Sequence, residues 1–154
     1  MNKLMIGTVG LFIFAASPVF ASSSGDSTAQ PEAKTYNGIP YVSGGFGVDE
    51  RENLRAMNKA DNLDLSFALQ NKDYIGGANV LIKDDRGKEI LKADSDGPLF
   101  FTKLPAGKYT VEATAEGRTE EQVAQVPAKG QTQIHFAWKE SKEEAQTQSK
   151  RPIS

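Results

Sequence analysis

From Asn62 to Trp138 the chain alternates apolar and polar residues with period two. Turn signals break the alternation roughly every eight to twelve residues, the spacing of a sandwich or barrel of short strands. Leu63, Leu65, Phe67 and Leu69 alternate with Asp64, Ser66, Ala68 and Gln70. Ala78, Val80 and Ile82 begin a second strand, and Asp84-Asp85-Arg86-Gly87 turns it into a partner from Glu89 to Ala93. Leu99-Phe100-Phe101 is a short buried strand between the turns Asp94–Pro98 and Leu104–Gly107. Tyr109, Val111, Ala113 and Ala115 mark a fifth strand, Glu121 to Val126 a sixth, and Ile134, Phe136 and Trp138 a seventh. The pattern predicts a mainly β, seven-stranded antiparallel sandwich over residues 62–139. A parallel α/β fold needs a helix between strands, and no segment after Asn62 is both long enough and helical in period.

Residues 38–61 read differently, as a glycine-rich loop followed by a short helix. Asp49 to Ala60 lacks the alternation, and Asp49 with Glu52 three residues on fits a capping box. Leu54 and Met57 would share one face of a helix of about three turns lying on the sandwich or beside its edge. Phe100 and Phe101 are adjacent in a strand and point to opposite faces, so burying both requires a cover on the outer face, for which this helix is the obvious candidate; otherwise one Phe forms an exposed apolar contact point.

The ends are of another kind. Lys3 followed by the apolar run Leu4–Ala16, then Pro18 and the small residue Ala21, predicts a secretory signal peptide at 1–21. The run falls short of the ~20 apolar residues of a spanning helix, so no membrane span is expected after cleavage, and the expected location is periplasmic or secreted. Residues 22–37 and 140–154 are polar and read as disordered tails.

Composition removes several functions. The chain has 18 Lys+Arg against 20 Asp+Glu, so it lacks the basic surface that nucleic acid requires. It has no Cys, which excludes disulfides, thiolate metal sites, Cys nucleophiles and a lipoprotein anchor. Its single His, His135, rules out a multi-His metal centre and alternates with Ile134 and Phe136, so it faces away from them.

Four constellations merit weighing. Ser43-Gly44-Gly45-Phe46-Gly47 precedes the helix, where glycine-rich loops can cradle phosphate. It lacks a Gly-Lys-Ser/Thr ending, and Asp49, Glu50 and Glu52 would repel an anion. It is read as an entry loop, with Gly44, Gly45, Phe46 and Gly47 as candidate binding residues for a partner. Asp94-x-Asp96-Gly97 resembles the opening of a calcium loop, but the twelfth position is Pro105 where a closing Glu is needed, so it is read as a turn. Glu120-Glu121 and the acidic helix start are carboxylate pairs without a recognisable cleft. Tyr36, Tyr41 and Trp138 could stack sugars, although Trp138 is expected in the core. No catalytic residue, metal site or cofactor is expected.

The stretch from Gly77 to Gly117 resembles the carboxypeptidase regulatory-like domain, an immunoglobulin-like or transthyretin-like sandwich. The residues that carry the resemblance are Val80, Asp96-Gly97, Phe101, Leu104-Pro105-Ala106-Gly107-Lys108-Tyr109 and Gly117. They are turn and core positions, so the resemblance implies a fold more than an activity. Its members are commonly non-catalytic accessory modules of exported proteins. The pattern of the zinc carboxypeptidases needs two His, and the hydroxyisourate hydrolases of related fold use several, so neither activity carries over to a chain with one. The expectation is an exported, non-catalytic binding or assembly module. The alternative is a module that binds carbohydrate or the cell envelope.

Overall fold

The computed structural model describes residues 31–140. The signal peptide expected at 1–21, residues 22–30 and residues 141–154 lie outside the described residues. Nine strands and one helix follow in the order β1 Lys34–Tyr36, β2 Ile39–Gly44, α1 Val48–Met57, β3 Leu63–Leu69, β4 Asn79–Lys83, β5 Glu89–Asp94, β6 Leu99–Thr102, β7 Gly107–Ala115, β8 Arg118–Val126 and β9 Thr132–Trp138. They form a five-stranded sheet, ordered β1-β2-β6-β3-β9, and a four-stranded sheet, ordered β5-β4-β7-β8.

The seven expected strands are present as β3 to β9, and two more precede them. Part of the stretch read as a tail, Lys34 to Tyr36, is β1, and part of the stretch read as a loop, Ile39 to Gly44, is β2. Their hairpin turns on Asn37-Gly38, where φ is 49° and 79°. Positive φ at both central residues is what a two-residue hairpin matched to strand twist requires, and Asn-Gly is its strongest sequence signal. Polar composition around the pair obscured it.

The expected all-antiparallel arrangement is also corrected. β3 pairs with β9 in parallel, from Leu63 opposite Thr132 to Leu69 opposite Trp138. Parallel neighbours need a long crossover. Here the connection is not a helix but the whole intervening domain, which includes β6 of the same sheet and all of the other sheet.

The inward faces build one core. Leu63, Leu65, Phe67, Phe100, Phe136 and Trp138 from the five-stranded sheet meet Val80, Ile82, Leu91, Tyr109, Val111 and Val126 from the other. Phe67, Phe136 and Trp138 form an aromatic trio with ring centroids 5.9–6.1 Å apart. Asn62 ties the turn after β6 to the start of β3. Its amide donates to Leu104 O at 2.6 Å and its Oδ1 accepts from Leu104 N–H at 2.8 Å. Both open sides of the sandwich are laced by side chains. Trp138 Nε1 donates to Arg118 O at 3.1 Å, and Gln122 donates to His135 O at 2.8 Å. On the opposite side Tyr36 Oη donates to Glu89 at 2.5 Å. The Trp138 and Gln122 bonds occupy backbone carbonyls that exposed strand edges would otherwise offer to other chains.

Phe100 lies in the main core, while Phe101 lies in a second cluster on the outer face with Leu54, Leu99 and Val42. The helix therefore covers the outer face at Phe101. It does so through Leu54 alone. Leu54 is 1% exposed and Met57 is 63% exposed, so the two do not share the buried face. The cap differs too. The N-cap is Gly47, not Asp49, and the reaching carboxylate belongs to Glu50, not Glu52.

The turn Ser95–Pro98 packs directly on the end of β2. A Cβ at Gly97 would lie well inside van der Waals contact of Gly44 C and O, and backbone on both sides cannot swing away. Gly97→Ala is expected to lose about 1–3 kcal/mol, the usual range for overpacking, read as a lower urea midpoint at unchanged slope. An unaltered midpoint would show that the two backbones tolerate separation.

Candidate functional site

Two regions combine exposed chemistry with fixed geometry. The first is the glycine loop. Glu50, in the first turn of α1, folds its carboxylate back into the loop and accepts from Gly45 N–H at 2.9 Å and Gly47 N–H at 3.4 Å. Arg51 follows on and donates to Gly45 O and Phe46 O, both at 2.9 Å. The loop therefore has the donors of an anion cradle, but the chain fills them with its own carboxylate. Of the four candidate residues, Gly44 and Gly45 are buried and Phe46 and Gly47 are exposed. Phe46 is 65% exposed, yet its ring occupies the space where Gly76 would carry a side chain. Tyr74 stands nearby, 42% exposed, with the Arg51 guanidinium 4.6 Å from its ring centroid. Val48 adds a further exposed apolar side chain. Sequence reading isolated Phe46 but missed Tyr74, because nothing in the string links residue 74 to the loop.

The second region is the outer face of β3 and β9, beside α1. His135 is exposed there, as its alternation predicted, and stands opposite Ser66 with 2.7 Å between Ser66 Oγ and Nδ1. A groove of about 550 Å³ is lined by Arg55, Asp64, Ser66, Gln133, Ile134 and His135. A neighbouring cavity of about 420 Å³ continues past His135 along Ala68 and Ala137 to Lys72 and Tyr74. Asp64 is buried and its Oδ1 has no hydrogen-bond partner in the protein. Burial pushes its carboxyl up to about 6, against the opposing pull of the Arg55 guanidinium. Sequence reading put Asp64 on the outer face and stopped there. Its burial comes from tertiary cover, and Leu63, Asp64 and Leu65 are all buried in succession.

A nucleophilic relay needs an acid on the histidine nitrogen that the serine leaves free. Here Ser66 meets Nδ1, and Asp64 sits two positions back on the strand of Ser66, opposite Gln133. The site is built for hydrogen bonding.

The remaining candidates resolve into structure. Asp96 accepts from Lys34 Nζ at 2.5 Å and from Ser43 Oγ at 3.1 Å, and Asp94 accepts from Asn79 at 2.7 Å. The Lys34 bond holds the Asp96 carboxyl below its ordinary range. Lys34 and Ser43 fasten the turn to β1 and β2, and Asn79 of β4 holds Asp94. Glu121 stands opposite Glu112, which pairs with Lys83. Trp138 is buried, Tyr41 stacks on Phe100 at 5.2 Å, and Tyr36 is bound to Glu89, so these three do not assemble a sugar platform. Among the described residues no cluster of three His, Asp or Glu is placed to hold a metal ion, and no helix is long and apolar enough to cross a membrane.

No family model and no curated protein matches the chain. Among solved structures it is similar to one titled "The Bacillus anthracis TIE protein", with 24% identity and a TM-score of 0.40. The likeness covers 50% of this chain and 15% of that one, which is too slight to carry a fold family or a function.

Proposed function

We propose that this chain is an exported, periplasmic or secreted, non-catalytic module that binds or helps assemble a protein partner. Its sandwich would be of the transthyretin-like, carboxypeptidase regulatory-like kind. The fold part of the proposal is supported by where the resembling residues sit. Val80 and Leu104 are in the core, Gly97 occupies a tight backbone contact, and Tyr109 Oη donates to Pro105 O at 2.7 Å to close its turn.

One observation carries the binding part. Phe46 exposes an aromatic ring on a loop that Glu50 and Arg51 clamp from both polar sides. An aromatic anchor held in place before contact loses little conformational entropy on binding, which is the usual physics of an interface hot spot.

The test is a photocrosslinking side chain at position 46, expressed in the full chain in cells and compared with the same group at Lys92. A discrete adduct at 46 that is absent at 92 is expected, together with recovery of the protein in the periplasmic or extracellular fraction. Identical patterns at both positions would overturn the partner reading, and retention in the cytoplasm would overturn export. Phe46→Ala should reduce partner capture at least about tenfold, the scale of a hot spot, while leaving the urea midpoint almost unmoved because the ring is exposed.

A further inference from the structure

Both ends of the chain leave the described fold near the Phe46 loop. At the front, Pro31 borders Gly44. At the back, the Trp138 carbonyl accepts from Gln70 N–H, and the Glu140 carboxylate accepts from the Asn71 amide. Asn71 precedes Tyr74 by three residues, so their Cα atoms lie within about 11 Å of each other. The chain therefore departs, after Glu140, close to the ring that stands beside the loop.

The loop presents two chemistries at once. Phe46, Val48 and Tyr74 are exposed apolar side chains. The exposed carboxylates of Asp49 and Glu52 follow directly on α1, and Asp73 adjoins Tyr74. Two exposed cations oppose them, Lys72 beside Tyr74 and Arg55 a turn further along α1. Glu50 and Arg51 are engaged by the loop backbone. The occupant that fits is apolar and cationic together. Aromatic faces attract a guanidinium, and the acids of the first helical turns attract any cation brought near them.

The two ends differ in what they offer. Residues 22–30 hold no Lys, Arg, Leu, Ile, Val or Phe, and their one charge is that of Asp26. The other end carries Lys150-Arg151-Pro152-Ile153. Ile153 is the one large apolar side chain after Trp138, and the acids of this stretch, Glu143 and Glu144, lie well before the two cations. The tether from 141 to 149 spans about 30 Å when extended. That exceeds the path from Asn71 to Tyr74. A link this short keeps a segment at millimolar effective concentration, so even a weak contact is populated.

We infer that Lys150-Arg151-Pro152-Ile153 docks on the Phe46 loop of its own chain. Pro152 and Ile153 cover Phe46, Val48 and Tyr74, while Lys150 and Arg151 face Asp49 and Glu52. The docking does not rest on the partner reading. One consequence does: a segment that covers Phe46 competes with any partner that uses the ring.

The experiment places a nitroxide on Ser154→Cys in the full chain, a single-site label because the sequence has no other Cys. Amide signals of isotope-labelled protein then report which residues the label approaches. Strong broadening is expected at Phe46, Val48, Asp49, Glu52 and Tyr74. Lys92 and Thr110, which pair with β4 in the other sheet, should stay sharp. Lys150→Ser, Arg151→Ser and Ile153→Ser together should reduce the broadening at the loop to the level at Lys92. Phe46→Ala should weaken it from the other side. Broadening spread evenly over the domain, broadening centred elsewhere, or an unchanged pattern in the triple variant overturns the inference. So does loop broadening in a mixture of isotope-labelled protein without nitroxide and nitroxide-carrying protein without isotope, which assigns the contact to a second copy. No partner is present in this experiment, so its failure leaves the partner reading standing, and a missing adduct in cells leaves the docking standing.

Discussion

Trp138→Ala should cost about 3–5 kcal/mol, the range for removing a buried large aromatic. Trp138 is 1% exposed, packs with Phe67 and Phe136 at 6.1 and 5.9 Å, and donates to Arg118 O. Truncation opens a cavity in the aromatic trio and leaves a carbonyl of β8 without its donor. The chain has a single Trp, so unfolding is best followed by circular dichroism in urea. A midpoint within a few tenths molar of the parent would place the ring at the surface and restore it as a sugar platform. A large loss confirms it as the bolt between the two sheets at their β8–β9 side.

Asp64→Asn should act in the opposite direction. The Asp64 carboxyl titrates near 6 in the fold against an ordinary 3.8. In that interval the folded chain holds more protons than the unfolded chain, so stability falls as pH rises. The penalty is absent below about pH 4 and complete above about pH 6. A carboxyl raised from 3.8 to about 6 costs about 3 kcal/mol once ionised, and Asn never ionises. At pH 7.5 the variant should therefore be more stable than the parent by about 2–3 kcal/mol. The difference should shrink to near zero at pH 4. Comparing variant with parent cancels groups of opposite sign, such as Asp96, whose lowered carboxyl adds stability that is lost in acid. A stability difference independent of pH would mean that Asp64 is ionised at no cost in the native protein.

These features were unequally legible in the string. Alternation located β3 to β9 because strand periodicity is local and each strand has one face in the core. The β1–β2 hairpin was equally local, and Asn37-Gly38 announced it, but the polar residues around it outweighed two residues of turn chemistry. The parallel register of β3 with β9 has no local signature at all. It is set by which strands remain unpaired once the others have formed hairpins. The site divides in the same way. Phe46 could be singled out from the glycines beside it. The burial of Asp64 could not, because it follows from the tertiary neighbours of a face that alternation had already assigned to solvent, where Asp64 stands opposite the buried Phe101. Arg51 on Tyr74 is a contact between segments that share no pattern.

The parallel pairing also bears on how the protein acquires its structure. Leu63 pairs with Thr132 and Leu69 with Trp138, so β3 of the larger sheet waits for the last strand of the domain. Contacts between residues so distant in sequence require loop closure before they repay it, and they slow folding. A chain emerging from its N-terminus cannot complete the aromatic trio until Phe136 and Trp138 have followed. Until then Phe67 lacks both partners and the sheet lacks its outer strand. The architecture thus delays its own locking step to the final stretch of the domain.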